Sequence, residues 1–232
     1  MKQSKTLFLL VAIFAVLLGF TSIAEAVEHQ YAQSYQNNHS YRGIKAGFKI
    51  PNIDSKWANN NGRFITFEQW IVVNQYGNWF EMGYMDGSMD PENDGIAYDY
   101  RGCFKAKYIN AAYVEWPLSK TVAVGERHAF EIADANNDNI WDILINSTSY
   151  GTFSNQVPPV DAGENQMGFE YNPVAGEAPV FSATDINSQY YRSQGVWKAW
   201  NNGLIGVWVY DDLPYLTTTW NSGGNSTTFQ LQ

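Results

Sequence analysis

The chain has 232 residues, of which 45% are hydrophobic and 16% aromatic, and its formal net charge at pH 7 is −9. This length and hydrophobic content allow one domain with a sizeable core. The negative charge disfavours nucleic acid as a partner, because phosphate backbones repel an acidic surface. Cys103 is the single cysteine and cannot form an internal disulfide. We therefore expect a buried Cys103 in a fold that its core stabilises.

The N-terminus has the three parts of a secretory signal peptide. Lys2 and Lys5 precede an apolar run over 7–20, and an Ala-Glu-Ala site ends at Ala26. The apolar run is shorter than the roughly 20 residues that a membrane span needs. The pattern predicts a signal peptide over 1–26 and a secreted, extracellular protein that begins at Val27. We expect a monomer with no membrane attachment after cleavage.

The segment that follows differs from the rest of the chain. Residues 27–42 read VEHQYAQSYQNNHSYR and are mainly polar. A polar stretch without apolar periodicity favours irregular structure. We expect a loose N-terminal arm over 27–42, followed by a single sandwich domain over 43–232.

Short runs of β-branched and aromatic residues alternate with Gly, Asn and Pro along the remaining chain, as is typical of strands and turns. Segment 182–200 is instead compatible with a short helix. The sequence predicts an all-β fold, a concanavalin-like antiparallel β-sandwich of the jelly-roll type. The predicted strands lie within 44–50, 64–73, 79–85, 102–109, 111–116, 127–133, 141–146, 166–171, 204–211 and 226–232.

Several common hydrolase motifs are absent from the sequence. It has no G-x-S-x-G and no H-E-x-x-H, and three histidines are too few to favour a histidine-rich metal site. The run DANNDNIWD at 134–142 resembles a calcium loop in its oxygen side chains, but Asn139 stands where such a loop has glycine. Asn-Asp-Asn is also a hairpin-turn sequence. We expect no metal and no cofactor, with calcium at 134–142 as the open alternative.

Two glutamates each have a glycine two positions away in a predicted strand. Residues two apart share a face, so Gly83 lies beside Glu81 and Gly168 lies beside Glu170. Bare backbone beside a carboxylate leaves room for a substrate chain to approach closely. These positions are therefore candidates for a site.

The other glutamates in predicted strands lack such a pattern. A single acid in a strand usually faces solvent, and we expect this of Glu68, Glu115 and Glu131. Glu81 and Glu170 on one aromatic floor could share a proton, because neighbouring like charges do not both ionise cheaply. One would act as general base and the other as acid, as peptide or glycoside hydrolysis requires. The residues alone do not assign the two roles.

Four short motifs, FEQWIVV, WFEMGY, RGCF and MGFEYN, follow one another along the chain. In kind and order they resemble the motifs of the neprosin family of secreted glutamic peptidases. The resemblance places the two catalytic glutamates of that family on Glu81 and Glu170. Gly83 matches the glycine of the first glutamate motif, Tyr84 replaces its tryptophan, and Phe169 stands where the second motif has glycine.

The resemblance implies a secreted, acid-active endopeptidase that hydrolyses peptide bonds and binds a protein or peptide substrate without a cofactor. Proline-directed cleavage is an open alternative within that class. The eqolisin glutamic peptidases are more distantly similar and have glutamine where Glu81 stands. The motifs also imply substrate contacts at Gln69, Trp70, Gly83, Tyr84 and Gly168.

Two other interpretations remain open. CFKAKYIN at 103–110 resembles a strand of alginate lyases, which would make Lys105 and Tyr108 site residues of a polysaccharide lyase. A non-catalytic carbohydrate-binding module would instead stack sugars on tryptophans. The candidates for such stacking are Trp70, Trp79 and Trp116.

Overall fold

The computed structural model describes residues 29–54, 63–73, 77–154, 163–172, 181–213 and 216–232. Every regular element within these ranges is a β-strand, so the all-β prediction is confirmed. The predicted signal peptide and its cleavage site lie outside the described residues. The strands are β1 (Gln30–His39), β2 (Gly43–Lys49), β3 (Phe64–Val72), β4 (Trp79–Met89), β5 (Tyr98–Ile109), β6 (Ala112–Pro117), β7 (Arg127–Ala133), β8 (Ile140–Ile145), β9 (Thr148–Ser154), β10 (Gly163–Tyr171), β11 (Thr184–Ser193), β12 (Val196–Ala199), β13 (Trp208–Asp211), β14 (Leu216–Asn221) and β15 (Ser226–Leu231).

These strands form two antiparallel sheets. The seven-stranded sheet has the order β13-β1-β10-β3-β4-β5-β6, and the eight-stranded sheet has the order β14-β15-β11-β2-β7-β8-β9. Strand β12 pairs with β11 beside the second path. The predicted antiparallel β-sandwich is confirmed. Among the described residues, no helix is long and apolar enough to cross a membrane.

Aromatic side chains from both sheets fill the space between them. Phe67 on β3 contacts Phe48 on β2 and Phe169 on β10, with ring centroids 5.1 and 4.6 Å apart. Each buried phenylalanine contributes about 1.5–3 kcal/mol relative to an exposed one. Cys103 lies in the same core with none of its surface exposed, as the sequence predicts. Burial raises the pKa of its thiol to about 12.

The expectation of a loose arm over 27–42 is wrong for the residues described. Strand β1 is inside the seven-stranded sheet, between β10 and β13. Its polar side chains face a polar part of the interior: the Ser34 hydroxyl accepts hydrogen bonds from Thr227 (2.7 Å) and Gln189 (3.3 Å). These polar groups form hydrogen bonds with one another across the two sheets, so polar residues can occupy the inward positions of β1. The sequence of β1 therefore lacks the apolar alternation that usually indicates a strand.

The helix considered for 182–200 is also wrong. Strands β11 and β12 form an antiparallel hairpin there, with Ser193 opposite Val196. The two residues between them, Gln194 and Gly195, have φ angles of 50° and 78°. Two successive residues with positive φ are characteristic of the tight hairpin turns that match the twist of paired strands.

The segment 134–142 comprises the turn after β7 and the first three residues of β8. The Asp134 carboxylate accepts hydrogen bonds from the backbone N–H groups of Asp138 (3.0 Å) and Asn139 (3.1 Å) and pairs with Arg42. Its oxygens therefore stabilise the turn itself. Within the described ranges, no group of three or more His, Cys, Asp or Glu side chains has the arrangement of a metal site.

Candidate functional site

The outward face of the seven-stranded sheet carries a cleft of about 740 Å³. Alternation along β3 sends Phe67 inward, and Thr66, Glu68 and Trp70 outward into this cleft. The same alternation places Glu81 on β4 in the cleft. The acidic side chains that line the cleft are those of Glu68, Glu81, Asp90, Glu115 and Glu170, and the basic side chain among the described lining residues is that of His29.

Glu81 is 5% exposed and has two hydrogen-bond donors. The Tyr113 hydroxyl donates to Oε1 at 2.9 Å, and the Trp79 indole N–H donates to Oε2 at 3.1 Å. Burial, followed by the charge of Glu170, raises the pKa of Glu81 to about 8, and the hydrogen bonds from Tyr113 and Trp79 partly offset this rise. Glu81 is therefore a carboxyl group that keeps its proton from acid pH to neutral pH.

Glu170, on β10, has a different environment. It is 7% exposed, and its Oε1 accepts a hydrogen bond of 3.3 Å from the Tyr31 hydroxyl and contacts Nδ1 of His29. The hydrogen bond to Glu170 is the main cause that raises the pKa of His29. Burial, followed by the charge of Glu170, raises the pKa of Tyr31, which remains a donor. Both contacts are made by the same oxygen of Glu170.

Glu68 lies between these two carboxyl groups. In the strand register Glu68 is opposite Gly168 on β10 and opposite Gly83 on β4. Glu170 and Glu81 are then the diagonal neighbours of Glu68 on the two flanking strands, a relation that places Cα atoms about 7–8 Å apart. Glu68 therefore lies between Glu81 and Glu170 on the cleft floor.

The Glu68 side chain is 1% exposed. Neither of its oxygens makes a hydrogen bond of regular geometry with a described residue, although Glu170 and Thr66 are close enough to affect its pKa. Burial raises the pKa of Glu68 well above its usual value, and the charges of Glu81 and Glu170 add to this. The Glu68 side chain points outward from the sheet, as simple alternation predicts, but it is buried in the cleft. The expectation that Glu68 faces solvent is therefore wrong.

The two glycines beside the carboxylates do not leave open space for substrate. A Cβ on Gly83 would stand 2.5 Å from the Phe67 carbonyl oxygen and 2.6 Å from the Glu68 Cβ. A Cβ on Gly168, which has a φ of 153°, would stand 2.1 Å from the Ala32 carbonyl oxygen. Neighbouring strands occupy both spaces, and neither glycine lines the cleft. Substrate contact at these positions was a wrong expectation.

The remaining motif residues divide between the two faces of the sheet. Trp70 lines the cleft, where its ring stacks against Tyr31 with centroids 6.0 Å apart. Gln69 points the other way and is fully buried between the sheets, and Tyr84 is 7% exposed in the core. Neither lines the cleft. Their predicted substrate contacts are wrong, because residues of odd number on β3 and of even number on β4 face the core.

The lyase interpretation needs Lys105 and Tyr108 in one site. They lie on opposite faces of β5: Tyr108 lines the cleft, whereas Lys105 donates to the Tyr150 carbonyl oxygen at 2.9 Å on the other side. Trp116 also lies on that other side, with Lys105 Nζ 5.9 Å from its ring centre. The structure does not bring the lyase pair together.

One wall of the cleft is aromatic. Trp79 stacks on Tyr108 with ring centroids 4.1 Å apart and planes 15° from parallel. Trp70 meets Trp79 edge to face at 5.9 Å. These rings pack beside the Glu81 carboxyl and exclude water from it, which is the physical cause of its raised pKa.

Sequence reasoning missed four residues of this site: Glu68, Tyr113, Tyr31 and His29. Tyr31 and His29 lie in the segment expected to be a loose arm. Tyr113, on β6, reaches Glu81 across β5, and such a contact follows from strand order rather than from any local motif. The cleft also contains Glu115, which accepts a hydrogen bond from the Asp90 backbone N–H at 2.8 Å and was expected to face solvent.

Comparison with known proteins gives the fold. No protein-family model and no curated protein sequence matches this chain. The structure is similar to scytalido-glutamic peptidase solved with a peptide-based transition-state analogue (TM-score 0.53) and with a transition-state analogue inhibitor (TM-score 0.56). In both comparisons the identity is 10%, and the match covers 89% of this chain and 100% of that chain.

A Bacillus licheniformis β-glucanase has a TM-score of only 0.37 at 11% identity, covering 86% of this chain and 70% of that chain. The chain therefore has the β-sandwich fold of scytalido-glutamic peptidase. At 10% identity this likeness shows the fold alone.

Proposed function

We propose that this chain is a secreted, acid-active glutamic endopeptidase in which Glu81 and Glu170 act on a peptide bound in the cleft. The observation that carries the proposal is that these two carboxyl groups lie on one cleft floor in unlike environments. Glu81 is kept protonated by burial, whereas Glu170 is held by a tyrosine hydroxyl and a histidine. Carboxyl groups whose environments differ in this way are suited to opposite roles in proton transfer.

The environments assign the roles. Glu170, ionised, takes a proton from water as the water oxygen attacks the peptide carbonyl carbon. Glu81 donates its proton to the carbonyl oxygen, where negative charge develops. The tetrahedral intermediate then collapses: the oxygen returns its proton to Glu81, and the departing amine takes the proton held by Glu170. Both residues end in their starting states.

Two further observations support the peptidase class. The fold is that of scytalido-glutamic peptidase, whose solved structures hold transition-state analogues. The motifs around Glu81 and Glu170 resemble those of the neprosin peptidases. Export is part of the proposal, since the residues 1–26 have the pattern of a signal peptide.

The test is cleavage of an unfolded, proline-containing protein between about pH 2 and 7, a range that brackets shifted carboxyl pKa values. Glu170→Gln should lose on the order of 10²–10⁴-fold in rate, the usual contribution of a general base. Glu81→Gln should retain partial activity, because an amide still donates a hydrogen bond to the carbonyl oxygen. Parallel peptides with and without proline measure whether cleavage is proline-directed.

Cleavage by Glu170→Gln at the wild-type rate would exclude the assigned base. A second candidate function is carbohydrate binding, which the stacked Trp79–Tyr108 pair and Trp70 in the cleft favour. Titration of the wild-type protein with oligosaccharides, followed by tryptophan fluorescence, distinguishes the two functions when no peptide is cleaved.

A further inference from the structure

We propose that Glu68, which lies between Glu81 and Glu170, is a positioning residue that carries a proton at working pH and shares it with Glu170, so that Glu170 is held ionised and oriented. The inference rests on the proposed function, since it assigns a role beside the base of that reaction. Glu68 lies within the motif FEQWIVV, but the resemblance assigns it no role.

The first argument is position. Glu81, Glu68 and Glu170 lie on three adjacent strands, β4, β3 and β10, along one diagonal of the sheet. Glu68 is the middle member of this diagonal. The residues directly opposite it on both sides are glycines, Gly83 and Gly168, so no side chain separates its carboxyl from those of its diagonal neighbours.

The second argument is hydrogen bonding. Both Glu68 oxygens are buried and lack a regular hydrogen bond among the described residues. A buried carboxylate without donors is far more costly than a buried carboxylic acid, so this group keeps its proton. A carboxylic acid is itself a donor, and Glu170 is the charged acceptor that interacts with it.

The third argument is the charge around Glu68. The titratable groups that face it are Glu170 from β10, Glu81 from β4, Tyr31 from β1 and Tyr113 from β6. His29 reaches the same cleft from the residue that precedes β1 and is engaged with Glu170. One histidine does not balance three buried glutamates, so most of the three must be neutral. The pKa directions of Glu68 and Glu81 agree with this requirement.

The consequence concerns the active state of Glu170. Its carboxylate then has three donors, the Glu68 carboxyl, the Tyr31 hydroxyl and His29, and these fix the direction in which it accepts a proton from water. Without the Glu68 proton, a proton from solvent would neutralise Glu170 at a higher pH. The acid limb of the activity profile therefore depends on Glu68.

Two variants test whether Glu68 acts as a neutral hydrogen-bond donor. Glu68→Gln keeps a neutral donor of the same length, so its kcat should stay within about threefold of wild type, with little change in the acid limb. Glu68→Met keeps the length but has no donor. Loss of one charge-assisted hydrogen bond predicts a fall in kcat of about 10–100-fold, with the midpoint of the acid limb moving upward by about one pH unit.

Glu92→Gln, on the exposed turn after β4, is the matched control and should leave both quantities unchanged. The proposal is overturned if Glu68→Gln is as damaging as Glu170→Gln, since Glu68 would then need its negative charge. It is equally overturned if a folded Glu68→Met keeps the wild-type kcat and acid limb. Circular dichroism checks folding, and Glu68→Gln decides the question if Glu68→Met does not fold.

A second measurement needs no activity. Infrared titration detects protonated carboxyl groups directly, and at pH 7 the wild-type protein should show a protonated carboxyl signal that Glu68→Gln reduces and Glu92→Gln does not. An unchanged signal in Glu68→Gln would refute the proton on Glu68. If Glu68→Gln reduces this signal as expected but the wild-type protein cleaves no peptide, the proposed function fails while the protonated Glu68 stands.

Discussion

Glu68 and Gly83 lie directly opposite each other on β3 and β4, and a Cβ on Gly83 would stand 2.6 Å from the Glu68 Cβ. The missing side chain on one strand thus makes room for a carboxyl group on the next. Gly168 is opposite Glu68 on the other side, where a Cβ would instead stand 2.1 Å from the Ala32 carbonyl oxygen on β1. Both glycines are packed against neighbouring strands at the floor of the cleft.

Gly83→Ala should destabilise the fold and reduce activity together. The added Cβ would meet backbone atoms of Phe67 and Glu68 at 2.5 and 2.7 Å, so strand β3 must shift. We expect a loss of about 1–3 kcal/mol in the free energy of unfolding, as is usual for overpacked sites. Urea denaturation measures this loss.

The control is Gly223→Ala in the turn between β14 and β15. There a Cβ would lie at an ordinary 3.5 Å from the Asn221 Oδ1. This variant should differ from wild type by less than about 0.5 kcal/mol. If Gly83→Ala is equally harmless, the close packing of Glu68 between the glycines is incorrect.

The stability of the fold should fall between acid and mildly alkaline pH because of Glu81. Its pKa rises from 4.5 to about 8 on folding. A raised carboxyl pKa contributes stability that is fully present below pH 4.5 and is lost as the pH rises through about 8. Glu81→Gln has no proton to lose and should therefore be more stable than wild type at pH 8, by on the order of a few kcal/mol.

Urea midpoints of wild type, Glu81→Gln and Glu92→Gln at pH 4 and pH 8 measure this effect. Glu92 is exposed, and its variant should follow the wild-type curve at both values. A wild-type protein whose stability rises from pH 4 to pH 8 by an amount that Glu81→Gln abolishes would mean that Glu81 is ionised in the folded state.

Tyr113→Phe should move the alkaline limb of the activity profile upward. The Tyr113 hydroxyl donates to Glu81 at 2.9 Å, and this bond lowers the pKa of Glu81. Without it the acid keeps its proton to a higher pH, by about 0.5–1 unit for one hydrogen bond. Tyr98→Phe removes a hydroxyl that contacts the Met89 sulfur and should not move the limb. A downward shift in Tyr113→Phe would contradict the assignment of Glu81 as the acid.

The mature protein should begin at Val27. The Ala-Glu-Ala sequence that ends at Ala26 predicts cleavage there, three residues before β1 begins at Gln30. Mass spectrometry of the exported product measures its N-terminus. A product that starts beyond Tyr31 would lack His29 and Tyr31, both contacts of Glu170, and a product that starts at Met1 would exclude export by this signal.

How far the sequence predicts the site depends on whether a residue acts within its own strand or across strands. Alternation along β4 and β10 places Glu81 and Glu170 on the outward face, and the cleft contains both. The same alternation places Glu68 outward, but the two glycines opposite it lie on two other strands. Only the strand register brings these glycines beside it, and a single sequence does not contain that register.

The errors in predicting the fold from the sequence have a similar origin. Strand β1 was missed because its inward residues Ser34 and Gln36 are polar and lie among polar partners contributed by other strands. Gln69 was assigned to substrate because of its motif, although its neighbours Phe67 and Ile71, two residues away, face the core. Simple alternation along β3 would have predicted its inward direction.

The strand order also determines when the site can first exist. Tyr31 and Glu170 are 139 positions apart, and β1 lies between β10 and β13, which ends at Asp211. A ribosome must therefore complete most of the chain before the donors around Glu170 can assemble. Folding dominated by such distant pairings is slow. Under the proposed function, a peptidase that acts on unfolded chains would therefore stay inactive in the cell that makes it until its synthesis is nearly finished.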